Sequence, residues 1–394
     1  MISYYHMRVF PKQEYDDRYE RLRSSMADMD TIIAYNPNNV TWLTGFLGTV
    51  YTKRYAAFAS GTAFPRAIFN IDQGISMVAV GGEEDAIKEE TFIDDIITHY
   101  PHKRIDAIID ALIDKKAKKV GIDLGEYESI TVNEFNILKD RLSKHDIELV
   151  DATNMLRNLK LIKSDRELEK IRVATDIQNR AFSKFFASIS KGMSEVEITR
   201  AMFDAQFDAG STEIGVAVPW THPGYAFFRR QYPDRVMRDQ DLQWIDGGAV
   251  YHGYSSDYDM IYVFGEPTDK HKRTYKIMQD VFKEGIEYFK PNRRIIDIAD
   301  DVRRVMKKHD ATNPLEPEIF IGHSLGYNMV EEPYLASWSD ADLTLKPNMA
   351  FAAEWFVATE YGPILYEENF IVRDDTIEMI SSGYKIEGDV ISIK

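Results

Sequence analysis

Asp246, Asp257 and Asp259 lie in the stretch WIDGGAVYHGYSSDYDMIYVFGE, residues 244–266, where apolar, aromatic and glycine residues predominate and strand formation is favoured. Gly247-Gly248 and Gly253 punctuate two strand-like segments, so a hairpin can bring Asp246 and Asp257 together across their eleven-residue separation. Asp257 and Asp259 are two apart and share a face of a regular strand. Carboxylates crowded away from water repel one another and lose hydration unless a cation neutralises them. A metal ion is one explanation for such a strand, and an acidic surface hairpin is the other.

His323 follows an apolar strand in EIFIGHSLGYNMVEEPYL and stands between glycines, where it can serve as a ligand or as a satisfied structural residue. The segment LKPNMAFAAEWFVATEYGPILYEENFIV reads as two strands around a turn at Tyr361-Gly362-Pro363. It carries Glu354 at the end of one apolar run and Glu368 at the start of another. Acids this deep in apolar strands need partners, unless both point outward from an edge.

The remaining composition narrows the chemistry. No residue of the 394 is cysteine, which excludes thiolate nucleophiles, disulfides and zinc–thiolate sites, so a metal must be held by oxygen and imidazole. With 48 basic against 64 acidic residues the formal charge is −16, which disfavours nucleic acid and anionic membrane as partners. The apolar fraction of 44% suffices for two packed cores. The N-terminal residues lack the pattern of a signal peptide and no apolar run reaches membrane-spanning length, so a cytoplasmic protein is expected.

The elements that would position these groups fall into two parts. Residues 1–155 alternate helical and strand-like segments, including TIIAYN, AIFNI, ISMVAV and KKVGIDL, with Asn36-Pro37-Asn38-Asn39 as turn chemistry; this predicts an α/β layer domain. In residues 156–394, Ser164 with Glu167 and Ser194 with Glu197 have capping-box spacing ahead of amphipathic helices. Strands dominate from Gln243 onward, interrupted by the helical patterns KHKRTYKIMQDVFKEGIEYF and IIDIADDVRRVMKKH; this part is expected to be α+β and to carry the catalytic groups. His252 is expected in the turn of the aspartate hairpin.

Taken in chain order, Asp246, Asp257, the Gly-His-x-x-Gly of GHSLG, the Pro-x-Met strand KPNMAFAAE and the strand YEENFIV resemble the motifs of the creatinase/methionine aminopeptidase superfamily of pita-bread metallopeptidases. NVTWLTGF at 39–46 and LKLIKSDRELEKIRVA extend the likeness weakly toward the N-terminus. The resemblance implies an α+β chain with a pita-bread catalytic domain preceded by a smaller creatinase-type α/β domain. It implies two divalent ions (manganese, cobalt, iron or zinc), with His323 and Glu354 on one, Asp246 on the other, and Asp257 and Glu368 bridging. Glu354 and His323 would be catalytic, Glu354 passing a proton to the leaving nitrogen of an Xaa-Pro dipeptide or short peptide. A homodimer is implied as well, with TVYTKRYAAF (49–58) reaching across it.

The departures concern substrate. Glu331 stands where Xaa-Pro peptidases of the superfamily carry a second histidine, and His222 in VAVPWTHPGYAFF is available as another substrate-binding histidine. Tyr366 replaces an arginine ahead of the last ligand, and Asp259 falls near a substrate-binding glutamate of creatinases. Asp259 and Glu331 would thus make an acidic substrate pocket, unfavourable to the free carboxylate of a dipeptide. A small non-peptide substrate, as in creatinases, ectoine hydrolases or sulfoniopropionate lyases, is the alternative enzymatic reading. A non-enzymatic binding protein is the third.

Overall fold

The computed structural model describes residues 8–48, 64–125, 129–220, 233–236, 242–381 and 388–393. The chain divides into two compact units, Met1–Lys160 and Leu161–Lys394, against an expected join after residue 155.

The first unit is built on a six-stranded sheet: β1 (Thr31–Ala34), β2 (Arg66–Asn70), β3 (Gly74–Val80), β4 (Ile96–His99), β5 (Lys119–Ile122) and β6 (Glu148–Asp151) lie in the order β4-β3-β2-β1-β5-β6. β1, β2 and β3 are antiparallel neighbours, and the outer pairings β3–β4, β1–β5 and β5–β6 are parallel. TIIA is buried at every position, as expected of a strand covered on both faces. Ile33, Ile68, Val78 and Val120 pack with Ile108, Leu112, Leu138 and Leu142 from the helices Arg104–Asp114 and Val132–Leu142. Asn36-Pro37-Asn38-Asn39 is a helix start and not a free turn. The Asn36 side chain accepts from the amides of Asn38 and Asn39, and Pro37 opens the helix Pro37–Thr44, the first-turn position where its missing N–H costs nothing.

The second unit contains two five-stranded sheets. In the first, β7 (Glu213–Trp220), β8 (Gln243–Tyr251), β10 (Tyr258–Phe264) and β16 (Ile391–Ile393) run in the order β16-β10-β8-β7, with the short β9 (Tyr254–Ser255) on β8. In the second, β11 (Phe320–Ser324), β12 (Glu331–Ala336), β13 (Ala350–Thr359), β14 (Gly362–Val372) and β15 (Ile377–Met379) run in the order β12-β11-β13-β14-β15.

Both expected capping boxes form, and they start the helices Asp165–Ser188 and Glu195–Ala209. Ile177, Phe182, Phe185, Ile198 and Met202 of these helices cover Ile245, Ala249, Tyr258, Met260 and Tyr262 of the first sheet. The helices Asp269–Gly285 and Ile295–Lys308 back the second sheet, where Phe282 lies 4.8 Å from the Trp355 ring and 4.7 Å from that of Tyr366. Each sheet therefore has one face committed to helices. The other faces meet: Trp244 of β8 packs on Phe356 of β13 with ring centroids 6.4 Å apart and donates from its indole nitrogen to the Pro363 carbonyl of β14 at 3.4 Å. Side chains alternate along a strand, so Asp246 and Asp259, like Trp244, face inward from the first sheet, and Glu354 and Glu367 face inward from the second.

Candidate metal centre

β8 and β10 are antiparallel, with Asp246 directly opposite Asp259 and Tyr258 opposite Gly247. Asp257 immediately precedes β10 and is fixed from the other sheet. Its amide donates to Asn369 Oδ1 at 3.0 Å, and Asn369 Nδ2 donates back to the Asp257 carbonyl. His252 occupies the β8–β9 turn with φ 49°, followed by Gly253 at 83°, and burial with the nearby Lys170 charge lowers its pKa to about 4. This is the turn role expected from the sequence.

β13 and β14 form a long hairpin in which Glu354 is opposite Glu367 and Ala353 opposite Glu368. The Glu367 amide donates to Asp259 Oδ1 at 2.7 Å, which makes Glu354/Glu367 a pair without mutual backbone hydrogen bonds, the type whose side chains lie closer. β11 lies on the other side of β13, with His323 opposite Ala352. His323 Nδ1 sits 3.1 Å from the Ser324 carbonyl and, as the donor there, leaves Nε2 to accept.

Three carboxylates converge on that nitrogen. His323 Nε2 is 3.6 Å from Asp257 Oδ2, 3.5 Å from Glu354 Oε2 and 3.5 Å from Glu367 Oε1. One ligand atom from each of Asp257, His323 and Glu367 lies within 4.8 Å of the other two, and all three residues are buried. Burial, then repulsion from neighbouring acids including Asp246, pushes Asp257, Glu354 and Glu367 well above the ordinary carboxylate range. Burial lowers the His323 pKa to about 4 and keeps the imidazole in the neutral form that binds metal. Asp257 Oδ1 is buried with no hydrogen bond among the described residues. Oxygen donors that repel one another beside a neutral imidazole fit divalent cations of the manganese, cobalt, iron or zinc kind.

Glu368, expected as the final ligand, is not among these groups. It lies between Tyr366 and Phe370, whose rings pack on Phe282 and Phe289 of the helix layer, and it accepts a hydrogen bond from Ser381 Oγ. Glu367 is the glutamate that lies with them, because side chains alternate with period two and adjacent glutamates face opposite ways. Asp259, expected to bind substrate, is fully buried, with one oxygen on the Glu367 amide; it supports β14 and adds to the repulsion on Asp257, Glu354 and Glu367. Glu331, also expected there, folds onto its own loop: it accepts from the Asn328 amide at 3.0 Å, and a Cβ on Gly326 would come within 2.4 Å of its carboxylate. His222 and the segment 49–58 lie outside the described residues.

Supporting residues with no role assigned from sequence are visible as well. Buried Lys163 donates to Ser324 Oγ at 3.2 Å, next to His323. Tyr254 donates to Glu167 Oε1 at 2.8 Å, three residues before Asp257, and its ring centroid is 4.3 Å from that of Tyr327. The start of the helix Asp165–Ser188 thereby braces the strand ends that carry His323 and Asp257. The stretch LIKSDRELEK signalled this helix start but not what its side chains would hold.

Comparison with known proteins gives two family matches: metallopeptidase family M24 over residues 169–391, and the creatinase/prolidase N-terminal domain over residues 18–162. A probable dipeptidase PepE of Mycobacterium tuberculosis is 27% identical over 207 residues; the match spans 52% of this chain and 53% of the relative, about half its length. An Xaa-Pro dipeptidase of Lactobacillus delbrueckii subsp. lactis is 22% identical over 339 residues, 83% of this chain and 85% of the relative. Among solved structures, an Xaa-Pro dipeptidase from Bacillus anthracis superposes with a TM-score of 0.79 at 21% identity, covering 96% of this chain and 99% of that one. A prolidase from Thermococcus sibiricus gives 0.81 at 18% identity, covering 96% and 99%. The two facing sheets are thus a pita-bread fold preceded by a creatinase-type domain, and the chain belongs to metallopeptidase family M24.

Proposed function

We propose that the protein is a hydrolase of short peptides, of the Xaa-Pro dipeptidase or aminopeptidase kind, that works with two divalent metal ions held by Asp246, Asp257, His323, Glu354 and Glu367. The observation that carries this reading is the approach of three buried carboxylates to within 3.6 Å of His323 Nε2. In this assignment His323 and Glu354, with Asp246, Asp257 and Glu367, would together hold the two ions. Two such ions supply Lewis acidity toward an amide carbonyl and lower the pKa of water toward neutrality.

The protein's own groups do the rest. Asn369 fixes the Asp257 backbone, and Asp259 fixes that of Glu367. The Ser324 carbonyl holds the His323 tautomer. Glu354, buried and opposite Glu367, would take a proton on a carboxylate oxygen and return it to the leaving nitrogen; its burial beside other carboxylates supports this role. Manganese is the first ion to try and a homodimer is the proposed assembly. Among the described residues no helix is long and apolar enough to cross a membrane.

A small non-peptide substrate drew its support from the missing second histidine, and a cationic one from the acidity of Glu331 and Asp259. With Glu331 folded onto its loop and Asp259 engaged by Glu367, the case for an acidic pocket is withdrawn, and the likeness to Xaa-Pro dipeptidases favours the peptide reading. The test is to strip the protein with chelator, reload it with manganese or cobalt, and count ions per chain while assaying Xaa-Pro dipeptides, longer peptides, creatine and ectoine. Two ions and cleavage of a peptide bond are expected. Retention of no ion, or turnover of only the non-peptides, would overturn the assignment.

A further inference from the structure

The strand that presents His323 is irregular, and the irregularity places an aromatic side chain beside the metal centre. Along β11 and β12, Phe320 pairs with Ala336 and Gly322 with Leu335, so Ile321 is an extra residue on β11. A β-bulge of this kind inserts one residue and reverses the alternation of faces beyond it. In a regular strand Phe320 would lie on the face opposite His323. Here Ile321 turns into the apolar core and Phe320 shares the His323 face, with ring centroids 6.4 Å apart and planes 26° from parallel. Gly322 permits the bulge: its φ is 138°, and a Cβ there would stand 2.0 Å from the Ala352 carbonyl oxygen.

The rings continue outward. Phe320 stacks on Trp338 at 6.4 Å and 19°, and the Tyr334 ring lies 6.0 Å from Phe320 at 60°. Tyr334 is also the β12 residue directly opposite His323. Trp338 is 51% exposed and Tyr334 40%, whereas His323 is buried, so the row leads from the carboxylates to open surface. Nothing in the backbone requires large rings at an exposed edge, and aromatic faces left in water at a functional site mark a binding surface.

We infer that Phe320, Tyr334 and Trp338 form a subsite for an apolar, preferentially aromatic, side chain of the substrate, adjacent to the bond that is cleaved. The inference rests on the peptide-hydrolase reading for its link to turnover. Three aromatic rings in a row offer a broad apolar face, which suits an uncharged side chain. Their offset, near-parallel arrangement from His323 through Phe320 to Trp338 is one that a further ring extends. Phe320 and Trp338 are therefore specificity-determining residues.

Two measurements test this on the full chain. The first compares kcat/KM of the manganese-loaded protein for Phe-Pro, Gly-Pro, Phe-Ala, Ala-Phe, Leu-Ala, Lys-Ala and Gly-Ala. The wild type should prefer phenylalanine over the smaller residue at one of the two positions. Trp338→Ala and Phe320→Leu should each reduce that preference, taken as the ratio of kcat/KM for the phenylalanine peptide to that for Gly-Ala in the same variant, by about 3- to 10-fold, the scale of one aromatic contact. An equal loss on every substrate, or no preference in the wild type, would overturn the subsite and leave the hydrolase standing.

The second measurement needs no turnover. N-acetyl-phenylalaninamide is titrated against the tryptophan fluorescence of wild type and Trp338→Phe, beside N-acetyl-glycinamide and tetramethylammonium. A saturable change with the phenylalanine probe alone, lost in Trp338→Phe, supports the subsite even if no peptide is cleaved, in which case the hydrolase reading fails by itself. No Trp338-dependent change, or a stronger response to tetramethylammonium, refutes it.

Discussion

Glu367→Gln and Glu368→Gln are the most informative pair of substitutions, because the two residues are neighbours of identical chemistry on opposite faces of β14. Ligand atoms of Asp257 and Glu367 lie within 4.8 Å of each other. Two ionised carboxylates at that distance, with an effective dielectric constant of about 20, repel by roughly 3.5 kcal/mol. Without metal the cluster relieves part of this by holding a proton, which is why burial and repulsion raise both groups. Neutralising Glu367 should then stabilise the metal-free protein by about 1–3 kcal/mol, or roughly 2–4 °C in Tm per kcal/mol for a unit of this size. On the proposed assignment the same substitution also removes a metal ligand. The stabilisation that a saturating ion gives the wild type, about 4 kcal/mol at a thousandfold excess over Kd, should largely vanish. Glu367→Gln is thus expected to melt higher than wild type without metal and lower with it. Glu368→Gln should keep both ions and the full metal-induced shift. Calorimetry with and without manganese, together with metal counts, reads all four states. Full metal binding by Glu367→Gln, or loss of it in Glu368→Gln, would refute the register argument.

The pH dependence of the metal-free protein follows from the same groups. Asp257, Glu354 and Glu367 have folded pKa values above their unfolded values near 4, so their contribution is complete below about pH 4 and is lost as pH rises through the raised values. His323 and His252, lowered to about 4, act oppositely, but only below their unfolded pKa of about 6.5. Between pH 6.5 and 8 the Tm of the metal-free protein should therefore fall with rising pH, and Glu367→Gln should flatten the slope; a rising Tm would contradict the carboxylate cluster. Gly322→Ala should cost about 1–3 kcal/mol, because φ 138° is strained for any side chain and the new Cβ would strike the Ala352 carbonyl, and it should weaken metal binding by moving His323; wild-type metal affinity in a folded Gly322→Ala protein would count against the bulge. Tyr254→Phe leaves the buried Glu167 carboxylate without the phenol donor and should cost about 1–3 kcal/mol, read by denaturant midpoint, with metal stoichiometry retained.

How far the sequence reveals this site depends on whether a feature is local or is set by pairing. Ser164 with Glu167 and Ser194 with Glu197 are read within four residues, and both boxes form. The oxygen-and-imidazole character of the site follows from composition alone. The Glu367/Glu368 choice is not local. It is fixed by where the β13–β14 hairpin turns, and that turn is Glu360-Tyr361, closed by Thr359 opposite Gly362. Glu354 lies five positions before Thr359 and Glu367 five after Gly362, so the true turn pairs the two acids; a turn displaced to Tyr361-Gly362-Pro363 moves the partner of Glu354 away from Glu367.

Phe320 shows the same dependence more sharply. Strict alternation puts it on the wrong face, and only the one-residue bulge returns it to His323. A glycine preceding a histidine is legible as flexibility. That this glycine adopts φ 138° against the Ala352 carbonyl, and so turns an aromatic ring toward His323, depends on β13 lying alongside. Glu331 and Asp259 differ from expectation for a related reason: each meets a backbone amide, of Asn328 and of Glu367, that needs an acceptor, and both positions arise only once the loop and the second sheet are in place. Residue type therefore identifies the chemistry here, while strand register decides which of two adjacent acids carries it and which side chains surround it.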